Sequence, residues 1–311
     1  MLGVVVKSTG SWYTVRLDDG TYCQSRIKGK FRIGGLKSTN PVSVGDRVKL
    51  SLKGNDYLIN EILQRKNYII RKSVNLSKQV HIIASNIDQA FLIVTLVSPF
   101  TSTGFIDRFL VTAEAYQVPT IIVFNKVDLY DEFDRTHHDE VFKVYSDAGY
   151  ECIEVSALNK KNLNLLKERM KDNVTLLSGH SGVGKSTLVN AIDPNLDLLT
   201  QQVSDAHQKG MHTTTFAEMF ELEFGGFIID TPGIKGLGLV EIDDSELADY
   251  FPEMLVYKGQ CKFHNCKHLN EPKCAVKSAL DTGKIHPIRY DSYISILEDG
   301  GNQYRESKYH L

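Results

Sequence analysis

The segment GHSGVGKST at residues 179–187 fits the pattern G-x-x-x-x-G-K-[ST], which is typical of loops that bind nucleotide phosphates. Its glycines allow successive backbone N–H groups to face the phosphates. We expect Lys185 to reach the β- and γ-phosphates and the Ser186 hydroxyl to coordinate Mg²⁺. The predicted phosphate contacts comprise the whole loop: Gly179, His180, Ser181, Gly182, Val183, Gly184, Lys185, Ser186 and Thr187.

A second motif, NKVD at residues 125–128, predicts that the base is guanine. The Asp128 carboxylate would accept hydrogen bonds from the N1–H and N2–H₂ groups of guanine, whereas adenine has no donors there. We expect Asn125 to hold the base and tie this loop to the phosphate loop, and the stem of Lys126 to cover the ring. Ser156 and Ala157, which follow the apolar run ECIEV, form a second predicted base contact.

The γ-phosphate end of the site is predicted from two further motifs. In DTPG, Asp230 would hold Mg²⁺ through water and the N–H of Gly233 would sense the γ-phosphate. In GMHTTT, either Thr214 or Thr215 would close on Mg²⁺ in the GTP state, although consecutive threonines also begin β-strands. The predicted Mg²⁺ set is therefore Ser186, Thr214 and Asp230.

The group that orients the attacking water is not evident from the motifs. Ile234 stands where a Ras-type enzyme has its water-orienting glutamine, and its aliphatic side chain cannot form a hydrogen bond. We therefore expect slow intrinsic hydrolysis, with the water oriented by His207, by His212 or by a bound partner. Both histidines are also compatible with an ordinary surface loop.

The order of the motifs is unusual, because the guanine motif precedes the phosphate loop. Strands and helices alternate from residue 88 to residue 192, which predicts a parallel, doubly wound sheet. Loops at the carboxyl ends of such strands meet in one crevice in whatever order the chain visits them. We therefore predict a circularly permuted P-loop α/β GTPase domain that the chain leaves directly after DTPG.

The amino-terminal region shows five short strand-like runs in about 65 residues, which predict a small β-barrel. An OB-fold is favoured, although an SH3-like barrel would give a similar pattern. Residues 66–85 are interpreted as a linker. Four aromatic residues are candidates for base stacking or for the barrel core: Trp12, Tyr13, Tyr22 and Phe31.

Charge is distributed unevenly along the chain. Residues 1–72 hold 14 Lys+Arg and 5 Asp+Glu, a surplus of 14 − 5 = +9, whereas the whole chain carries −2. Such a basic module is typical of polyanion binding, and we expect a binding loop at Lys28, Lys30 and Arg32. A solvated basic surface is the plainer interpretation.

A cluster of cysteines near the carboxyl terminus predicts a metal site. Three thiolates and one imidazole fall within fourteen positions and suit a closed, tetrahedral, structural Zn²⁺ site. The predicted ligands are Cys261, Cys266, His268 and Cys274. His264 is an alternative ligand, and reduced cysteines that only pack are the alternative to a metal. Residues 258–289 carry seven Lys+Arg and two Asp+Glu, which suggests a second RNA-facing surface.

The order NKVD, VSAL, GHSGVGKST, GMHTTT and DTPG, between a basic barrel and a Cys/His cluster, resembles the ribosome small subunit-dependent GTPase A (RsgA) family over essentially the whole chain. The resemblance implies an OB-fold RNA-binding domain at 1–68, a permuted GTPase domain at 69–238 and a mostly helical zinc-binding domain at 239–311. It implies a GTP hydrolase that acts late in maturation of the bacterial 30S subunit and binds 16S rRNA. Hydrolysis, stimulated by the 30S subunit, would be coupled to subunit checking and release of the protein.

The expected partners are GTP or GDP and the 30S subunit, and the expected cofactors are Mg²⁺ with GTP and one structural Zn²⁺. Neither an export signal nor a run of roughly 20 apolar residues is evident. We therefore expect a cytoplasmic monomer without membrane contact. The alternatives are a stand-alone GTP-dependent signalling switch that binds protein partners, and an ATP-dependent enzyme or kinase.

Overall fold

The computed structural model describes residues 1–27, 41–54, 56–72, 80–196, 217–230 and 242–299. The strands in these ranges are β1 (Leu2–Ser8), β2 (Tyr13–Leu17), β3 (Tyr22–Ile27), β4 (Arg47–Lys53), β5 (Asp56–Ile62), β6 (Tyr68–Lys72), β7 (Val80–Ser85), β8 (Gln89–Val94), β9 (Thr120–Phe124), β10 (Glu151–Glu154), β11 (Val174–Ser178), β12 (Glu218–Glu221) and β13 (Phe227–Asp230). The α-helices are α1 (Thr103–Ala115), α2 (Glu132–Asp147), α3 (Leu163–Met170), α4 (Lys185–Ile192), α5 (Pro252–Lys258), α6 (Ala275–Asp281) and α7 (Pro287–Glu298).

The first five strands form a closed barrel. They pair in the order β1, β2, β3, β5, β4, and β4 returns to β1. This order, with β3 and β5 parallel, is that of an OB-fold and confirms the predicted barrel. Side chains alternate between the interior and solvent along β2, where Tyr13, Val15 and Leu17 are buried. Tyr13 therefore belongs to the core, and its candidacy for base stacking was wrong.

The central domain is the predicted doubly wound sheet. Strands β10, β9, β8, β11 and β13 are parallel neighbours, and β12 pairs antiparallel with β13 at the edge of this group. Helices α1 and α2 pack on one face, where Phe109 and Tyr145 are buried. Helices α3 and α4 pack on the other, where Leu166 and Val189 are buried. With both faces covered, β8 is buried along its whole length.

The interpretation of residues 66–85 as a linker was wrong at both ends of that segment. Strands β6 and β7 form an antiparallel hairpin between the barrel and the central domain. The buried carboxylate of Asp46 fixes this hairpin, because it accepts hydrogen bonds from Arg65 at 2.6 Å and from the Ser85 hydroxyl at 2.6 Å. The hairpin was missed because each strand is short and its buried residues lie among polar ones.

The barrel and the central sheet are continuous. Strand β1 pairs antiparallel with β12, where Lys7 lies opposite Glu218, so that eleven of the described strands form one sheet. Val6 and Val44 of the barrel join the same apolar cluster as Met219 of β12. The β-barrel is therefore attached directly to the strand that follows the predicted GMHTTT segment.

The carboxyl-terminal module is helical, as predicted, and packs on α1. Arg289 of α7 is fully buried, and its guanidinium donates to the carboxylates of Glu253 in α5, at 2.6 Å, and of Asp107 in α1. Burial opposes the charge of Arg289, but the two carboxylates outweigh it and raise its pKa. Among the described residues, no helix has the length and apolar character of a membrane span.

Candidate nucleotide site and metal centre

The base motif, the second base contact and the phosphate loop meet at Asn125, which is 1% exposed. Its side-chain amide donates to the carbonyl of Val183 in the phosphate loop at 2.9 Å. Its side-chain oxygen accepts from the N–H of Ala157 at 3.3 Å. The side chain of Asn125 thus joins three loops. These loops follow strands β9, β10 and β11, which end at the same edge of the sheet.

The other residues of the base motif lie around the same crevice. Lys126 adopts a left-handed conformation, with φ of 62°, and donates to the carbonyls of Ser98 at 2.6 Å and Gly182 at 2.8 Å. Its ammonium consequently reaches the phosphate loop, and its role as a cover for the base stays a prediction. Asp128 lies in a short 3₁₀-helix and is half-buried at this edge. The hydroxyl of Ser156 accepts from the N–H of Asn159 at 3.0 Å and shapes the second base loop.

The phosphate loop needs its glycines. Gly179 has φ of +142°, and a Cβ there would lie 2.3 Å from the carbonyl oxygen of Ile93. Gly184 has φ of +92°, and a Cβ there would lie 2.6 Å from the Asn125 amide. Both conformations are strained for other residues. The loop therefore lies close against its neighbouring strands, with α4 beginning at Lys185.

Lys185 folds back into its own loop, where its ammonium donates to the carbonyls of Gly179 at 2.7 Å and His180 at 2.8 Å. Burial lowers the pKa of Lys185, and the nearby carboxylate of Asp230 opposes that effect. A phosphate would offer this half-buried cation stronger partners than the two carbonyls, because hydrogen bonds between two charged groups are stronger than those to a neutral acceptor.

Two of the three predicted magnesium ligands lie in the described part of the chain and fit the ion. Ser186 lies in the first turn of α4, and Asp230 ends β13, which pairs with β11 ahead of the phosphate loop. A hydroxyl and a carboxylate are oxygen donors, the kind of ligand that suits Mg²⁺. The remaining predicted catalytic residues lie outside the described residues: His207, His212, Thr214, Thr215 and Gly233. So do Lys28, Lys30, Phe31 and Arg32 of the predicted RNA-binding loop.

Family models match most of this chain. Residues 62–240 match the RsgA GTPase model, and residues 2–57 match the RsgA N-terminal domain model. The chain belongs to the RsgA GTPase family. It is therefore a GTP hydrolase, which agrees with the NKVD motif that Asn125 joins to the phosphate loop and excludes the ATP-dependent alternatives.

Relatives resemble this RsgA-family chain over their whole length. A small ribosomal subunit biogenesis GTPase RsgA of Christiangramia forsetii is 56% identical over 313 residues, 99% of each chain. One of Bacteroides fragilis is 53% identical over 300 residues, 96% of this chain and 97% of the relative. Two solved structures share the permuted fold. YjeQ from Thermotoga maritima has a TM-score of 0.79 at 35% identity, covering 96% of this chain and 97% of its own. YloQ, described as a circularly permuted GTPase, has a TM-score of 0.75 at 30% identity, covering 97% and 96%.

The carboxyl-terminal module of this RsgA-family protein brings the four predicted metal ligands together. Their donor atoms, from Cys261, Cys266, His268 and Cys274, all lie within 4.8 Å of one another. Nδ1 of His268 lies 3.3 Å from the Cys274 sulfur and 3.6 Å from the Cys261 sulfur. A tetrahedral ion with Zn–S bonds of about 2.3 Å needs similar separations between its ligands. His264, the alternative ligand, does not belong to this group of four described residues.

One residue that contacts the phosphate loop of this RsgA-family protein was not among the predicted site residues. The ring of Phe105 in α1 lies against the imidazole of His180, with 3.6 Å between ring centroids. Phe105 is two positions from Asp107, which binds Arg289 of the carboxyl-terminal module. The sequence predicts Phe105 only as one apolar residue of an amphipathic helix. Nothing in that pattern indicates a contact with His180, 75 positions further along the chain.

Proposed function

We propose that this GTPase acts late in maturation of the small ribosomal subunit, where it binds 16S rRNA and couples GTP hydrolysis to checking of the subunit and its own release. The observation that supports it most is the joining of the NKVD loop, the phosphate loop and the loop at Ala157 by the side chain of Asn125, in a domain whose sheet continues into a basic OB-fold barrel. The names of the full-length relatives support the ribosomal role. They give no support to a stand-alone signalling switch.

RNA binding by the barrel is supported by a stacked pair on its surface. The guanidinium of Arg26 lies 3.8 Å from the centroid of the Trp12 ring, and Trp12 is 39% exposed. Tyr22, in β3, is 55% exposed. Exposed aromatic and arginine side chains offer flat surfaces on which unpaired bases stack. We place the first rRNA contact on this face.

For hydrolysis we propose that Ser186, Thr214 and Asp230 would hold Mg²⁺, which would offset the negative charge of the nucleotide phosphates. Lys185 would exchange its carbonyl partners for phosphate oxygens, and Asp128 would select guanine. The N–H of Gly233 would sense the γ-phosphate, and Thr214 or Thr215 would close the site. His207, His212 or the bound subunit would orient the water, and a water-orienting group supplied by the subunit would explain stimulation by the 30S particle.

The remaining assignments concern the whole molecule. We divide the chain into an RNA-binding barrel at 1–68, the permuted GTPase domain at 69–238 and a zinc-binding domain at 239–311. One structural Zn²⁺ would be held by three thiolates and His268, which leaves no open coordination position for a substrate. We infer a monomer that works in the cytoplasm, where small subunits mature.

Co-sedimentation tests the proposed partner. The full-length protein is centrifuged at low salt with 30S, 50S or 70S particles in the presence of a non-hydrolysable GTP analogue. We expect it to pellet with 30S particles, less with GDP, and to dissociate as salt rises, because phosphate contacts release counterions. Equal binding to all three particles, or binding that is insensitive to nucleotide, would contradict the proposal.

A further inference from the structure

A row of charged residues crosses the junction between the barrel and the GTPase domain. Lys7 in β1 lies opposite Glu218 in β12, and Glu218 lies opposite Asp230 in β13. The ammonium of Lys7 donates to both carboxylate oxygens of Glu218, at 2.9 and 3.0 Å. The row therefore runs from the basic barrel to the residue assigned to Mg²⁺.

Glu218 is placed to influence a cation at Asp230. Directly opposed residues of antiparallel strands project from the same face, with Cβ atoms about 4.5–5.5 Å apart. The Glu218 carboxylate thus adds negative potential beside Asp230, and Lys7 cancels part of it. The side chain of Lys7 is 43% exposed, so an outside anion can reach it.

We propose that Lys7 and Glu218 form an electrostatic relay that lets the barrel set the Mg²⁺ affinity of the nucleotide site. This inference rests on the proposed function, in which Asp230 holds Mg²⁺ and the barrel binds RNA. An RNA phosphate competes with the Glu218 carboxylate for the ammonium of Lys7. When the phosphate wins, Glu218 is left uncompensated beside Asp230, and the site binds Mg²⁺ more tightly. Binding of RNA to the barrel thereby changes the Mg²⁺ affinity of the nucleotide site without movement of a domain.

A second ion pair of the same junction provides a matched control. Arg16 in β2 donates to both oxygens of Glu221, each at 2.7 Å, so it also holds the barrel against β12. Glu221, however, lies opposite Phe227, three positions along β13 from Asp230. At about 3.3 Å per residue that is roughly 10 Å from the magnesium row. Loss of this pair loosens the junction without changing the charge beside Asp230.

The test measures release of a fluorescent, non-hydrolysable GTP analogue from the full-length protein at a series of free Mg²⁺ concentrations. For K7A we expect the half-saturating Mg²⁺ concentration to fall by roughly two- to fivefold, the range of a partly exposed charge pair. For E218Q we expect it to rise by a similar factor. For R16A we expect no change. K7Q repeats the charge loss with a longer side chain, should K7A fold poorly.

K7A and E218Q break the same ion pair, so shifts of the half-saturating Mg²⁺ concentration in opposite directions would distinguish an electrostatic effect from a structural one. If the pair only stabilised the junction, both variants would shift the Mg²⁺ dependence in one direction and R16A would follow them, and either result would overturn the relay. D230A distinguishes failure of the magnesium assignment from failure of the relay. Unchanged Mg²⁺ dependence in D230A refutes the magnesium assignment, whereas a strong effect of D230A with none of K7A or E218Q refutes the relay alone.

Discussion

The side-chain amide of Asn125 donates a 2.9 Å hydrogen bond to the carbonyl of Val183, a residue 58 positions further along the chain. This bond holds the guanine loop against the phosphate loop although the chain reaches them in the reverse of the usual order. Position in the sheet, rather than order in the chain, decides which loops meet.

Replacement of Asn125 tests how much that bond contributes. N125A leaves the Val183 carbonyl and the Ala157 N–H without their partner in a buried site. We expect affinity for both GTP and GDP to fall by about tenfold or more, since an unpaired buried polar group costs about 1–3 kcal/mol. Equilibrium binding of a fluorescent guanine nucleotide measures this affinity. N159A, at an exposed position of the neighbouring loop, is the control and should bind like the parent. Equal affinities in N125A and N159A would contradict the role.

Asp128 is predicted to determine base choice. In D128N the new amide would place a donor against the N1–H and N2–H₂ donors of guanine, whereas xanthine offers an acceptor at position 2. We expect GTP affinity to fall by about 100-fold and xanthosine triphosphate to become the preferred ligand. Competition between unlabelled nucleotides measures the preference. A variant that still prefers GTP would show that Asp128 does not read the base.

Zinc should be retained by the carboxyl-terminal cluster and depend on its thiolates. Without metal, burial raises the pKa of the Cys266 thiol to about 12, so metal binding must displace a thiol proton, and affinity for zinc should fall as pH falls. We expect one Zn²⁺ per chain by elemental analysis, lost in C274S and kept in C152S, a cysteine outside the cluster. Equal zinc content in these two variants would refute the site.

The attachment of the carboxyl-terminal module to α1 should depend on Arg289. R289M leaves the buried side-chain carboxylates of Asp107 and Glu253 without their cation, which costs about 3–5 kcal/mol. Arg108 pairs with Asp299 across the same two helical layers, but Asp299 is half-exposed. D299N should therefore cost less than R289M, because it leaves no carboxylate buried and the amide oxygen that it introduces can still accept the hydrogen bond of Arg108. Urea unfolding measures both variants, and similar losses would contradict the assignment of the junction to Arg289.

The sequence predicted what depends on contiguous residues. The phosphate loop, the guanine motif and the metal ligands each lie in short segments whose residue types carry their chemistry, and the alternation of strands and helices predicted the parallel sheet. Contacts between distant elements were not predictable in this way. Nothing local marks Lys7 as the partner of Glu218, 211 positions away, or Asp107 as the partner of Arg289. Such pairs depend on how domains pack, which single-chain patterns do not encode.

The most direct test of the proposed function is the rate of GTP hydrolysis by the full-length protein alone and with saturating 30S particles, using 50S particles as the control. With Ile234 in place of a water-orienting glutamine, hydrolysis by the protein alone should be slow. We predict a large stimulation by 30S particles, none by 50S particles, and loss of activity in K185A under both conditions. Equal rates with and without 30S particles would contradict a GTPase that monitors the small ribosomal subunit.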